Sequence, residues 1–436
     1  MACRLMGAGI IIGNSQLSCD MARYIKENGG VDVLSAKLAD RILTVGVENG
    51  QVTGTDVHIA NIRKWTSRYH NDAIAWIELA RAYTIKGLKT KAKRAALVAL
   101  QLAPHDRFIV RSAVRFFLHI GDYESAWYYI NRASKSHFDP WIKATEINVA
   151  NISMRSTPAI KKLIPNALSH EQLFHFSELL ESYGNLELES GNDHKARKQL
   201  KLAWQNPSES VITHAEWIIR NKLPGLKESA DLEYSRSPEA YTWQNYNELK
   251  LDEAIEAAQE WELEEPYSKY PFIVGTCIAC NADKPEIGVD IAERGLTIDP
   301  NNKIILNNLC YALLRIGDVE SASKHIKKIY PEGETEADLI ALATIGLYEI
   351  KSKNVTKGRE SYTEVIRKFR QQGKTDLQAA AILNLAIAEI DVCTSEAKAI
   401  ALQALSVTEN INTPTVLLVR RILQSKLLGK RTTKGG

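Results

Sequence analysis

The chain has 436 residues, 45% of them apolar and 25% charged, with a net charge of +3 at pH 7. Such a length exceeds one ordinary globular core, and the balance of residue types excludes a disordered, collagenous or disulfide-stapled chain. No apolar run approaches the ~20 residues that cross a bilayer, and the cysteines (Cys3, Cys19, Cys277, Cys280, Cys310, Cys393) are scattered as in a reducing compartment. The sequence therefore predicts a cytoplasmic protein.

Residues 1–72 carry helical patterns near Gln16–Glu27, Val31–Val47 and Asp56–Tyr69. They read as a degenerate first repeat or a small separate cap. Gly7, Gly9 and Gly13 have one residue too many for a dinucleotide loop, and no strand precedes them. A mobile N-terminus is predicted there, without a nucleotide site.

The block Ala73–Asp106 is the best-formed segment of the chain. Trp76, Leu79, Ala80 and Tyr83 fall at i, i+3, i+4 and i+7, the apolar stripe of one helix. Gly87 ends it, as glycine does just past a helix. Ala92, Ala96 and Ala99 line a second helix whose small side chains permit close packing, and Pro104 closes the unit. Weaker copies follow at Arg107–Pro140, Ser177–Ser210, Ser235–Ser268, Lys269–Asn302, Lys303–Glu336 and Leu339–Gln372. A last, shortened copy starts near Gln378. The copy at Ser235–Ser268 has a poor first helix.

This pattern resembles the tetratricopeptide repeat. The resemblance implies an all-α fold: an α-solenoid, coiled as a right-handed superhelix, of about eight or more helix-turn-helix repeats. Two stretches fall out of register. Trp141–Phe176 lacks the signature alanines, and Val211–Tyr234 has one helix, His214–Arg220, before Pro224-Gly225. The chain is either one continuous superhelix with two degenerate units or is divided near Leu223–Ser237. The organisation expected is a cap at 1–72, arrays at 73–222 and 223–412, and a capping helix with a basic tail at 413–436. In that helix Val416, Leu417, Leu423 and Leu427 are expected to be buried, with Arg420, Arg421, Gln424 and Lys426 solvating it. Lys430–Gly436 is expected to be a disordered tail.

Chemistry is sparse. Cys277 and Cys280 form a lone Cys-x-x-Cys, and Cys310 lies about one repeat later. Structural zinc wants four ligands, and a redox pair wants a helix N-terminus. Mid-helix cysteines acting as small apolar residues are expected instead. His170 and His175 are misaligned for a metal, and neither a nucleophile elbow nor a phosphate loop is present. No catalytic residue, metal or cofactor is predicted, and the chain is read as a non-enzyme.

Charge is more informative. From Ala60 to His119 twelve Lys/Arg face three acids, a segment of +9; from Leu226 to Tyr270 twelve acids face four bases, a segment of −8. Lys89, Lys91, Lys93 and Arg94 crowd a helix start, where cations oppose the macrodipole. They form a candidate basic patch for an acidic or phosphate-bearing partner, or a solvated convex face.

In the resembled family the first helix of each repeat lines a concave groove. Carried over to this chain, that places Ile77, Arg81 and Ile85, then Phe108, Arg111, Arg115 and His119, in the groove. Later copies contribute Trp243 and Tyr246, then Asn307, Tyr311 and Arg315. The family's chaperone-tail clamp uses Lys and Asn at set positions. Ile77, Arg81, Arg111 and Arg115 depart from it. The resulting reading is a scaffold or adaptor that holds a protein or peptide with an acidic segment on Arg81, Arg111 and Arg115. The alternative is a ligand- or peptide-responsive sensor that controls a partner enzyme or nucleic-acid-binding protein, as in a bacterial stress or defence module. Direct nucleic-acid binding ranks below both, and homo-oligomerisation is compatible with the sequence. No membrane partner is expected.

Overall fold

The computed structural model describes residues 15–28, 39, 56–156, 164–165, 167–229 and 232–428. The Gly7–Gly13 stretch, the helix expected over Val31–Val47 (apart from Ala39) and the tail Lys430–Gly436 lie outside the described residues. Among the described residues there are 21 α-helices and no strand. They divide into two compact units, Met1–Glu233 and Tyr234–Gly436.

The first unit contains α1 (Ser15–Asn28), α2 (Asp56–Arg68), α3 (Ala73–Ile85), α4 (Lys89–Leu102), α5 (Arg107–His119), α6 (Tyr123–Ser136), α7 (Pro140–Ile152), α8 (His170–Glu189), α9 (Asp193–Ala203) and α10 (Glu209–Asn221). The second contains α11 (Pro238–Asn247), α12 (Leu251–Glu264), α13 (Tyr270–Asn281), α14 (Pro285–Ile298), α15 (Lys303–Ile316), α16 (Val319–Ile326), α17 (Glu336–Lys351), α18 (Val355–Gln371), α19 (Thr375–Asp391), α20 (Ala397–Val407) and α21 (Pro414–Leu427).

Each of the eight sequence copies is a helical hairpin: α3–α4, α5–α6, α8–α9, α11–α12, α13–α14, α15–α16, α17–α18 and α19–α20. Local chemistry starts the helices. Asp72, Asp106 and Asp122 each accept a backbone N–H of the first turn, satisfying donors that the helix itself leaves open. Ser169 and Gln172 form a reciprocal capping box at the head of α8. That cap starts α8 at His170, ahead of the Ser177 expected from the repeat register. In the other irregular stretch α10 extends beyond the expected His214–Arg220 at both ends, with Ser208 capping Val211.

Every hairpin turn contains one residue in the left-handed region. Gly87, Gly121, Gly191 and Gly317 supply it in four hairpins; Leu249, Asp283, Lys353 and Cys393 supply it in the others. A side chain in that region costs ~1–2 kcal/mol, so tertiary packing has to hold these last four turns.

The small residues set the helix spacing. Ala92, Ala96 and Ala99 are fully buried, in a core that includes Ile77, Tyr83, Val110 and Phe117. In the second unit Gly346 of α17 meets Gly358 of α18 backbone to backbone. A Cβ on Gly358 would stand 2.6 Å from the Gly346 carbonyl oxygen, and it would also strike Ile350. Gly358→Ala is therefore expected to destabilise this unit by about 2 kcal/mol. Gly225→Ala, with nothing within 4 Å of its Cβ, is the neutral control. Urea denaturation checks both, and equal effects would show that the helices do not touch at Gly358.

Curvature follows from packing. First helices of successive hairpins touch: α3 on α5 in the first unit, and α13 on α15 and α15 on α17 in the second. The second helices make no comparable contact with one another. Within each unit the first helices therefore line an inner face and the second helices an outer one.

Candidate functional site

The inner face of the first unit is built around Trp141. It sits at the start of α7, where the N-cap Asp139 accepts the backbone N–H groups of Trp141 and Ile142. Two arginines of α5 lie over its ring, Arg111 at 5.2 Å and Arg107 at 5.9 Å. Arg111 donates to Glu178 of α8 at 2.6 Å, and Arg107 pairs with Asp139 at 2.6 Å. Ser208 donates to the other oxygen of Glu178. The Arg111 charge is thus committed within the chain. Arg81 is half-buried, while Arg115 and His119 are exposed. Arg81, Arg111 and Arg115 therefore do not form one open strip. Ile77 belongs to the hairpin core rather than to a groove surface. Phe108 is 52% exposed on the same helix as Arg115.

Further along this face the buried carboxyl of Glu181 (α8) lies 3.4 Å from His214 of α10. Burial pushes its pKa up to about 7, an effect opposed by the hydrogen bond with His214. His214 also meets Asn185 and stacks on Trp217, which is 43% exposed. The repeat pattern does not mark Trp141 and His214 as inner-face residues, whereas Glu178 and Glu181 occupy the same positions of the Ser177–Ser210 copy as Phe108 and Arg111 of the preceding one, a signal in the register that the sequence reading did not use. Trp141 and His214 lie on out-of-register helices, where that pattern assigns no facing.

The second unit treats its inner face differently. Tyr246 of α11 shares a hydrogen bond of 2.8 Å with Thr415 of α21, and accepts another from Asn281. Trp243 meets Tyr246 edge-on. Tyr311 donates to Asn384 of α19 at 2.8 Å and accepts from Arg315. The Arg315 side chain is 4% exposed and paired with Asp283. Asn307 is buried and donates to Asn308. Tyr246, Tyr311 and Arg315 are thus spent on internal hydrogen bonds.

Helix α21 completes this closure. Val416, Val419, Ile422 and Leu423 join the core formed by Ala379, Leu383, Ala386, Ala401 and Ala404 of the last hairpin. Leu418 belongs instead to the large core with Tyr246, Phe272 and Ile278. The helix is buried on two sides rather than on the one side expected of a cap, and Leu417 and Leu427 are only half-buried. Arg420 donates to the Ile411 carbonyl at 2.8 Å, and Lys426 pairs with Asp391 at 2.6 Å, so neither is a simple solvating residue.

The basic patch also divides. Lys93 pairs with Asp122, the N-cap of α6, at 2.6 Å. Its hydrogen bond holds the Asp122 carboxyl below the usual range. Lys89, Lys91 and Arg94 are exposed on the outer helix α4.

Stacked hairpins, small residues between paired helices and an inner layer of first helices decide the architecture. Each unit is an all-α stack of tetratricopeptide-like helical hairpins. No family model matches the chain, and no curated protein does. Solved structures do. The chain is similar to yeast Tom70 at 13% identity, over 87% of this chain and 93% of that one, with a TM-score of 0.31. It is similar to the structure of Naa15/Naa10 bound to HypK-THB at 12% identity, over 98% and 99%, with a TM-score of 0.30. The APC/C hetero-tetramer Cut9-Hcn1 matches at 11% identity, over 96% and 95%, with a TM-score of 0.38.

Among the described residues no group of three or more His, Cys, Asp or Glu is placed to hold a metal ion. Cys280 and Cys310 are buried free thiols, and burial pushes both up to about 12. They are protonated at neutral pH and pack as small apolar groups. No described helix is long and apolar enough to cross a membrane.

Proposed function

We propose that the chain is a non-catalytic scaffold that holds a protein or peptide partner on the inner face of its first unit. One contrast carries the reading. Phe108, Arg115 and Trp217 are exposed in the first unit, whereas Tyr246, Asn307 and Arg315 of the second are buried or internally paired. An exposed cation and exposed aromatic side chains within one unit suit an acidic segment with an apolar anchor. Arg115 is the principal contact in this reading, and Arg111 holds Trp141 and Glu178 in place. Residues 73–222 are then the binding array. The buried free thiols support a cytoplasmic setting.

Fluorescence polarisation with a pool of labelled acidic peptides tests this. Phe108→Ala with Arg115→Glu should weaken binding roughly tenfold or more, with the helical circular dichroism unchanged. Equal binding by the variant would remove the inner face from consideration. Absence of binding to the parent protein would remove the acidic partner.

A further inference from the structure

Outer helices of the two units carry stripes of opposite charge, basic on α4, α6 and α9 of the first and acidic on α12 and α14 of the second; beyond that acidic stripe α16, α18 and α20 expose Lys324, Lys357, Arg367, Arg370 and Lys398. In the first unit Lys91 and Arg94 of α4, Arg132 and Lys135 of α6, and Lys198 and Lys201 of α9 are all exposed. Each pair is spaced i, i+3, so both members share one helix face. Helix α4 contains no acid at all. In the second unit Glu253, Glu256 and Glu260 of α12, and Glu286, Asp290 and Glu293 of α14, are exposed. Helix α12 contains no cation, and the single cation of α14, Arg294, is tied to Glu262 and Asp290.

Ordinary soluble surfaces intersperse both signs, and a single-sign face repels itself. These stripes lie on the outer helices, away from the inner face. Internal ion pairs do not consume most of them, since of the acids in the two stripes only Asp290 forms one among the described residues.

We infer that these two stripes are the two halves of a self-association surface: the basic face formed by α4, α6 and α9 of one copy docks on the acidic face formed by α12 and α14 of a second copy of this chain. Complementarity of charge supports this occupant: cations three residues apart on α4, α6 and α9 face no acid of their own stripe, and the carboxylates of α12 and α14 recur three or four residues apart on consecutive hairpins. A nucleic acid would satisfy the basic face and leave the acidic one unexplained. The contact joins different patches of the two copies. It is electrostatic in origin, and its strength and rate fall with salt.

Sedimentation velocity on the full chain, at about 50 mM and about 500 mM salt, provides the test. The parent protein should associate at low salt and dissociate at high salt. A basic-face variant (Arg94→Glu, Arg132→Glu, Lys135→Glu) carries acid on both faces. An acidic-face variant (Glu253→Lys, Glu256→Lys, Glu260→Lys) carries base on both. Each alone should associate at least about tenfold more weakly, and an equimolar mixture should regain the complex. All these side chains are exposed, and circular dichroism confirms that the variants are folded. A parent protein that stays monomeric at low salt overturns the inference, as does a mixture that stays monomeric. A basic-face variant that keeps self-association but loses a single-stranded oligonucleotide would assign that face to nucleic acid instead.

Discussion

Arg359→Leu is expected to destabilise the second unit by about 3 kcal/mol at neutral pH, the scale for removing one partner of a buried ion pair. Glu389 of α19 is fully buried, and Arg359 of α18 grips both of its carboxylate oxygens, at 2.5 and 3.0 Å. Thr394 supplies a further hydrogen bond. Without the guanidinium the carboxylate is left in an apolar layer with a single hydroxyl partner. The reverse substitution is milder. Glu389→Gln leaves Arg359 about one-third exposed and still paired with Glu396 at 2.7 Å, so a loss of only about 1 kcal/mol is expected.

Acid separates this from a simple packing defect. Burial alone would raise the Glu389 pKa, but the hydrogen bonds from Arg359 and Thr394 outweigh it and lower the value from 4.5. A carboxyl depressed by folding contributes stability that is fully present above its unfolded value and is lost as pH falls through the folded one. The difference between parent and Arg359→Leu should therefore shrink on acidification below the unfolded value of 4.5. Urea denaturation at neutral and acidic pH measures it. A constant difference would mean that lost packing of the arginine stem, not the charge, is responsible.

The hairpins were legible in the sequence because their determinants are local. Ala92, Ala96 and Ala99 mark a helix that must approach its partner closely, and Gly87 marks the turn before it. The four turns without glycine show the limit of that signal. Leu249, Asp283, Lys353 and Cys393 adopt the same left-handed geometry as Gly87, yet only aspartate is of a type that favours it. Packing on either side imposes it.

Groove chemistry was less legible. The repeat register predicts which first-helix residues face inward, but not what they meet. Arg111 finds Glu178 at a separation of 67 residues, and Tyr246 finds Thr415 at 169. No periodicity encodes partners that distant. The resemblance also treats the last helix as a cap, whereas α21 directs Thr415 and Leu418 to one set of neighbours and Val416, Val419 and Leu423 to another. Its sequence is amphipathic in two directions because it serves two cores.

Glu181→Gln is expected to stabilise the first unit by up to about 3 kcal/mol near pH 8, and by less than about 1 kcal/mol near pH 5. The cause is the buried position of Glu181 beside His214, with Glu178 on the same helix and Trp204 nearby. Desolvation raises the pKa from 4.5 to about 7, and the His214 contact offsets only part of that rise. A carboxyl whose folded pKa is raised holds its proton in the native state while the unfolded chain has released it. Stability is therefore greatest at low pH and declines as pH rises from about 4.5 to about 7. Glutamine is neutral throughout and removes that decline. His214→Gln should act oppositely: without the imidazole to favour the charged form, the decline should extend to higher pH. Denaturation profiles of the three proteins across this range decide the matter. If Glu181→Gln shifts stability equally at both ends, the carboxyl is already ionised in the folded protein and its proton has no part in holding α8 against α10.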